Sequence, residues 1–157
     1  IWDPVLAKVK SSGEVLTTSG KVSQETGKAT FEGILAQKEW AKSNQDFVVK
    51  FLKVIANADD NYRKNAAKWV VGSPMVKGVA DITGAKAEDV PAGMKLYRFP
   101  TIAEQTSKTW MGGGKEGGAA KSLAATAAFL KSQGTISATL NDYSVGVNAR
   151  FAELAGK

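Results

Sequence analysis

The chain has 157 residues, of which 43% are hydrophobic and 23% are charged. A chain of this length can bury a core, and this composition is that of an ordinary globular protein, so disorder and fibrous architectures are excluded. Its longest apolar runs are only a few residues, far short of the roughly 20 that a membrane-spanning helix needs. We therefore expect a globular chain without a membrane span.

The net charge of +6 comes from 21 Lys and Arg against 15 Asp and Glu. Proteins that bind nucleic acid concentrate such charge on one face or stripe. Here the lysines are spread from Lys8 to Lys157 without a basic run. This pattern favours a solvated basic surface and no nucleic-acid partner. The alternative is a basic interaction module for nucleic acid, whose binding would be sensitive to salt.

The chain contains no cysteine and no histidine. The absence of cysteine excludes disulfides, zinc bound by thiolates and thiol catalysis. The absence of histidine removes the commonest general base and the commonest transition-metal ligand. We therefore predict a protein that is not an enzyme and that holds neither a metal nor a cofactor.

The N-terminal part combines one helix signal with two β-prone runs. Asp3 and Pro4 are typical of a helix start, so the pattern predicts a helix over residues 3–12 that stops at Ser12-Gly13. Residues 15–18 are β-prone, and residues 29–36 form the most strand-like segment. The chain begins without Met and without a signal peptide, which leads us to expect a processed, proteolysed or truncated N terminus.

A string of helices is predicted to follow. A short helix at residues 38–41 precedes a longer one that Ser43-Asn44 would cap. The longer helix carries an apolar stripe at three- and four-residue spacing, which predicts a core-facing side: Phe47, Val48, Phe51, Leu52, Ile55, Ala58 and Tyr62. Two isolated strands are only marginally stable in water, and an α/β domain normally has more of them. The shortage of strands is a second indication that an N-terminal part is missing.

Further helix boundaries carry recognisable end signals. Helix starts are predicted at Ser73 before Pro74, at Thr101 with Glu104 three residues later, and at Asn141-Asp142 before the last helix. Gly84 and Gly134 are predicted helix stops. The glycine-rich run at residues 112–118 lacks the Gly-Lys-Ser/Thr of a phosphate loop, because Ala119-Ala120 follows it, and a flexible connection between helices is the better interpretation.

Three residues are candidates for ligand contact. Glu32 places a carboxylate inside an apolar strand, where burial is costly unless a cation meets it. It either faces a cleft and binds an amine or points to solvent from an alternating strand. Trp2 and Asp3 are either an aromatic wall and an acceptor for a ligand or a core anchor and a helix cap. Trp40, Trp69 and Trp110 are expected to be buried anchors without a site role.

An ordered set of short motifs resembles taurine and alkanesulfonate-type periplasmic substrate-binding proteins of ABC importers, in their C-terminal part. The motifs are Trp2-Asp3-Pro4-Val5, Gly13-Glu14-Val15-Leu16, Thr30-Phe31-Glu32, Gln37-Lys38-Glu39-Trp40-Ala41, Phe129-Leu130-Lys131-Ser132-Gln133-Gly134 and Asn141-Asp142-Tyr143-Ser144. The resemblance extends over essentially the whole chain.

The resemblance implies an α/β fold that is part of a two-lobed, type II periplasmic-binding-protein clamshell, helix-rich in this C-terminal portion. Residues 1–27 would end the second lobe, residues 28–157 would form the C-terminal share of the first, and the N-terminal half of the fold would lie outside this chain. The implied location is the periplasm. The implied partners are taurine or a sulfonate-like molecule and a membrane permease, and the half-clamshell could also associate with itself.

The resemblance also assigns a role to the candidate residues. Glu32 resembles the acidic residue that anchors the ammonium group of the ligand, where the family more often has Asp. Trp2 matches an aromatic at the corresponding turn, and Gly33-Ile34 stands where the family tends to carry a bulkier apolar pair. The same fold also binds other ligands, so a binding protein for nitrate, another sulfonate or a pyrimidine precursor is an alternative. An enzyme similar to those of thiamine-pyrimidine synthesis is a further alternative.

Overall fold

The computed structural model describes residues 5–26 and 31–157. The described residues form nine α-helices and three short 3-10 helices. The α-helices are α1 (Val5–Lys10), α2 (Ser19–Thr26), α3 (Lys38–Ser43), α4 (Gln45–Asn65), α5 (Pro74–Thr83), α6 (Val90–Met94), α7 (Ile102–Thr106), α8 (Gly118–Ser132) and α9 (Arg150–Ala155). The 3-10 helices are Ala66–Lys68, Gly114–Glu116 and Ser144–Gly146.

The helix-rich character expected for this portion is confirmed, whereas no strand occurs among the described residues. Residues 14–18 and 31–37 are irregular; they include the β-prone run 15–18 and the described part, 31–36, of the strand-like segment 29–36. The physical reason is that a strand is stabilised by pairing with a neighbour, and neither run has a neighbouring strand in the described ranges. The α/β class and the clamshell therefore stay predictions, as does the division into residues 1–27 and 28–157.

Two predicted helix starts are confirmed in atomic detail. The backbone N–H of Val76 donates to the Ser73 hydroxyl at 3.3 Å, with Pro74 in the first turn of α5. At α7 the Thr101 N–H donates to the Glu104 carboxylate at 2.8 Å, and the Glu104 N–H donates to the Thr101 hydroxyl at 3.2 Å. These side chains satisfy N–H groups that a helix start leaves without partners.

The predicted start of the last helix is wrong. Helix α9 begins at Arg150, well after Asn141-Asp142. Instead, the Asp142 carboxylate accepts the Ser144 N–H at 2.8 Å and closes a turn at the 3-10 helix Ser144–Gly146. Asp and Asn favour such turns for the same reason that they cap helices, so the residue type alone does not distinguish the two.

Contacts divide the chain into two units, each with its own small core. The first unit contains the described residues within 1–18 and 58–99. In it α5 contacts α6, and the buried apolar residues are Val76 and Val90. An aromatic cluster adds to this core, since the Tyr62 ring meets the rings of Trp69 and Phe99, each at 5.0 Å.

The second unit contains the described residues within 19–57 and 100–157. Here α7 packs on α9, and α8 contacts the 3-10 helices at 114–116 and 144–146. The buried hydrophobic residues of this unit are all alanines: Ala41, Ala119, Ala120, Ala127, Ala152 and Ala155. Small side chains let the helices approach closely but remove little apolar area from water.

The expectation that the α4 stripe forms a core is wrong for most of its length, although Tyr62 near its end joins the aromatic cluster. Helix α4 has no buried residue, and Phe47 is 60% exposed. Trp40, expected to be a buried anchor, is also exposed, whereas Trp69 and Trp110 are half-buried. A periodic pattern shows which residues share a helix face, and it does not show what covers that face.

No helix in the described part of the chain has both the length and the apolar character that crossing a membrane requires.

Candidate functional site

Glu32 lies in the irregular segment 31–37, between α2 and α3, with its side chain exposed. The preceding residue, Phe31, meets the ring of Trp110 edge-on with ring centroids 6.3 Å apart. Among the described residues no ion pair involves Glu32. Glu32 therefore directly follows a residue whose ring contacts Trp110, and its own side chain is exposed.

Backbone hydrogen bonds hold Trp110 between α7 and α8. The Trp110 N–H donates to the Ser107 carbonyl at 3.0 Å, and the Ala119 N–H donates to the Trp110 carbonyl at 2.9 Å. Ser107 directly follows α7, and Ala119 lies in the first turn of α8. The aromatic partner of Phe31 is thus fixed by the ends of two helices.

The glycine-rich run at residues 112–118 connects two helices, as expected. Gly113 and Gly114 adopt positive φ values of 81° and 56°. A β-carbon on Gly118 would fall on the carbonyl oxygen of Thr109, and the Gly118 N–H donates to the Lys108 carbonyl at 2.9 Å. The run is a closely packed turn, because only glycine, which has no β-carbon, lets the backbone at residue 118 approach the Thr109 carbonyl this closely.

The charges around this turn are mixed. Lys121 forms an ion pair with Glu116 at 2.7 Å, and this hydrogen-bonded contact is the main reason that the pKa of Glu116 is lowered; Lys108 and Lys115 add to it. The Ser144 N–H, and more weakly Lys115, lower the pKa of Asp142. Since both carboxylates are ionised at neutral pH, the turn does not present the purely positive cradle that a phosphate would need.

A small cavity lies in the second unit, beside the segment that carries Glu32. Its lining is mostly apolar: Ile34, Leu52, Ile55, Ala56, Ile102, Gln105 and Ala152. The volume is about 40 Å³, whereas ligand pockets usually measure roughly 300–1,000 Å³. Its one amide, that of Gln105, already donates to the Pro100 carbonyl at 2.8 Å. The cavity is therefore a gap in the packing and not a ligand site.

Of the three predicted site residues, only Glu32 can be located. Trp2 and Asp3 lie outside the described residues, so their site role stays a prediction. Sequence reasoning missed the contact of Trp110 with Phe31. No sequence signal indicates it, because the two residues belong to segments far apart in the chain. Within residues 5–26 and 31–157, no group of three or more acidic side chains is arranged to hold a metal ion.

No protein-family model matches the chain. The chain is similar to the taurine-binding periplasmic protein of Escherichia coli (strain K12), with 30% identity over 153 residues. The similar region covers 98% of this chain and 46% of the relative. The chain thus spans about half the length of the curated relative that it matches.

The resemblance that the sequence motifs predicted is therefore confirmed, and the chain is a homologue of a taurine-binding periplasmic protein along nearly its entire length.

Proposed function

We propose that this chain is the C-terminal part of the solute-binding component of an ABC importer, located in the periplasm. It would bind taurine or a related small sulfonate and deliver it to a membrane permease. The observation that carries this proposal is the 30% identity over 98% of the chain to a protein described as taurine-binding and periplasmic. No bond is made or broken in this role, which suits a chain without histidine or cysteine.

In this proposal Glu32 holds the ammonium end of the ligand. Two features of this segment favour a cation: the exposed carboxylate of Glu32 and the aromatic ring of the preceding residue, Phe31. The carboxylate accepts charge-assisted hydrogen bonds from the ammonium group, and the ring faces attract positive charge. Trp2 and Asp3 would add an aromatic wall and an acceptor, and the donors for the sulfonate would come from outside this chain.

The chemistry of Glu32 favours a zwitterion over a simple anion. Nitrate and ethanesulfonate carry no positive group, so a carboxylate in the pocket would repel them. Taurine carries both charges, and binding it between two lobes would satisfy both ends. In this proposal residues 1–27 end the second lobe, residues 28–157 form the C-terminal share of the first lobe, and the upstream half supplies the rest. Closure of the two lobes on the ligand would then create the surface that the permease recognises.

The test is a thermal-unfolding series on the full-length gene product with taurine, ethanesulfonate or nitrate. Ethanesulfonate is the matched control, because it is taurine without the amine. Taurine at about 100 times its Kd should stabilise the protein by roughly 2.7 kcal/mol, and ethanesulfonate should stabilise it far less. A protein whose melting temperature responds to none of the three would overturn the proposal.

A further inference from the structure

The segment that carries Glu32 is held by side chains on either side of that residue. Before it, the Phe31 ring meets the Trp110 ring edge-on, with centroids 6.3 Å apart. After it, Ile34 lines the small cavity of the second unit, which α7 also lines. Because only two residues separate the two contacts, the backbone at Glu32 is restrained from both directions.

Both contacts rest on one short stretch of chain, α7 and the residues that follow it. Ile102 and Gln105 of α7 line the cavity with Ile34. The Trp110 N–H donates at 3.0 Å to the carbonyl of Ser107, which directly follows α7. Helix α7 is itself fixed by its capping box and by its packing on α9. One platform therefore supports the segment on both sides of Glu32.

The backbone that presents the Trp110 ring is hydrogen-bonded on both sides. The Met111 N–H donates to the Gln105 carbonyl at 2.9 Å, and the Ala119 N–H donates to the Trp110 carbonyl at 2.9 Å. Since rigid support lowers the entropy that binding must spend on ordering, a ring held in this way can pre-organise what packs against it. Trp110 is therefore a fixed support for Phe31.

The Glu32 carboxylate needs such support from its backbone. Its side chain is exposed, and no ion pair involves it among the described residues. A binding group works best when it is held within about 0.5 Å of the productive position. In this segment the contacts of the neighbouring side chains supply that restraint.

We propose that Trp110 is a positioning residue for ligand binding. Through its ring contact with Phe31 it holds the segment so that the Glu32 carboxylate meets the ammonium group of the ligand, and it does not touch the ligand itself. The inference rests on the proposed function for the identity of the ligand. Loss of the ring contact should therefore change the affinity only through Glu32.

A spin label at residue 32 tests the positioning without any ligand. Glu32→Cys is made in the full-length gene product, with any cysteine outside these 157 residues replaced by serine, and its nitroxide is followed by electron paramagnetic resonance. Adding Trp110→Leu should shift the spectrum to faster motion, whereas Trp110→Phe keeps a ring and should retain the parent spectrum. A label at Glu39→Cys, in the first turn of α3, is the matched control and should not respond to Trp110→Leu.

A double-mutant cycle tests the effect on the ligand. Calorimetry gives the Kd for taurine of the full-length parent, Trp110→Leu, Glu32→Gln and the double variant. Trp110→Leu should raise Kd roughly 3- to 10-fold in the parent, and less than about twofold when Glu32→Gln is already present. Trp40→Leu removes a ring with a similar edge contact, to Phe47 at 5.9 Å, and should leave Kd unchanged. Equal factors for Trp110→Leu in both backgrounds would mean a structural role alone and would overturn the proposal.

The two proposals can fail separately. A label at residue 32 that Trp110→Leu leaves equally restrained would overturn the positioning role, whatever the taurine affinity is. A full-length protein that ignores taurine, but whose label is released by Trp110→Leu, would retain the positioning role and lose the ligand. If Trp110→Leu does not fold, Phe31→Leu removes the same contact from the other side and is judged by the same two measurements.

Discussion

The ring of Phe31 meets the ring of Trp110 edge-on, with centroids 6.3 Å apart, and Glu32 is the next residue in the chain. The contact fixes the start of an otherwise irregular segment against the turn between α7 and α8. It therefore holds the backbone next to the candidate carboxylate.

Glu32→Gln should weaken taurine binding by the full-length gene product. The substitution keeps the size of the side chain and removes the charge that attracts the ammonium group. A hydrogen bond to a charged group contributes about 1.5–3 kcal/mol, so Kd should rise roughly 10- to 100-fold. Isothermal titration calorimetry with taurine measures this change.

Two control variants accompany that experiment. Glu32→Asp keeps the charge on a side chain that is shorter by one methylene, so it should retain most of the affinity. Glu39→Gln removes an exposed carboxylate from the first turn of α3 and should leave Kd unchanged. An unchanged Kd for Glu32→Gln would argue against the ammonium anchor.

Local signals in the sequence predicted much of the helical structure. The caps at Ser73 and Thr101 and the stop at Gly84, with φ of 70°, depend on residues within one turn of each other. Such contacts are encoded by short spacing and need no knowledge of the rest of the fold. The sequence therefore predicted these helix boundaries well.

Long-range relationships could not be predicted in the same way. The exposure of Phe47 depends on what packs against α4, and the contact of Phe31 with Trp110 joins distant segments. The strand expected at residues 29–36 needs a pairing partner that its own sequence does not specify. Glu32 was identified as a candidate from its residue type in an apolar run, whereas Trp110, the ring partner of the preceding Phe31, was not.

Gly118→Ala should destabilise the chain. A β-carbon at this position would fall on the Thr109 carbonyl oxygen, which is backbone and cannot move aside cheaply. We expect a loss of about 1–3 kcal/mol in the free energy of unfolding, measured by urea denaturation. Gly78→Ala in the middle of α5 is the matched control, because nothing lies within 4 Å of its β-carbon position. It should stabilise the chain by about 0.5–1 kcal/mol, and equal effects of the two variants would contradict the packed turn.

Thr101→Ala should also lower stability, because it removes the acceptor for the Glu104 N–H at the start of α7. Loss of such a cap costs about 1 kcal/mol in the free energy of unfolding. Thr101→Ser retains the hydroxyl and should recover most of that loss in the same urea titration. If serine behaved like alanine, packing of the threonine methyl group and not the cap would be the cause.

Two adjacent carboxylates on α4 should respond to neutralisation with opposite signs. Burial raises the pKa of Asp59 above its ordinary value, against the opposing charge of Arg63. The pKa of Asp60 is lowered, first by the hydrogen bond from Lys64 and then by Arg63. Ionisation of Asp59 therefore destabilises the folded state, whereas ionisation of Asp60 stabilises it.

At pH 7 Asp59→Asn should raise the melting temperature, and Asp60→Asn should lower it. The ordinary pKa of both groups is 3.8. The cost at Asp59 is present above its raised folded pKa and disappears as the pH falls to the ordinary value. The contribution of Asp60 is present above 3.8 and is lost as the pH falls through its lowered folded pKa. Melting curves of the two variants and the parent chain should therefore separate in opposite directions at neutral pH and converge once the pH has fallen below the lowered folded pKa of Asp60. A shift of the same sign for both variants at pH 7 would show that helix propensity, and not charge, decides the effect.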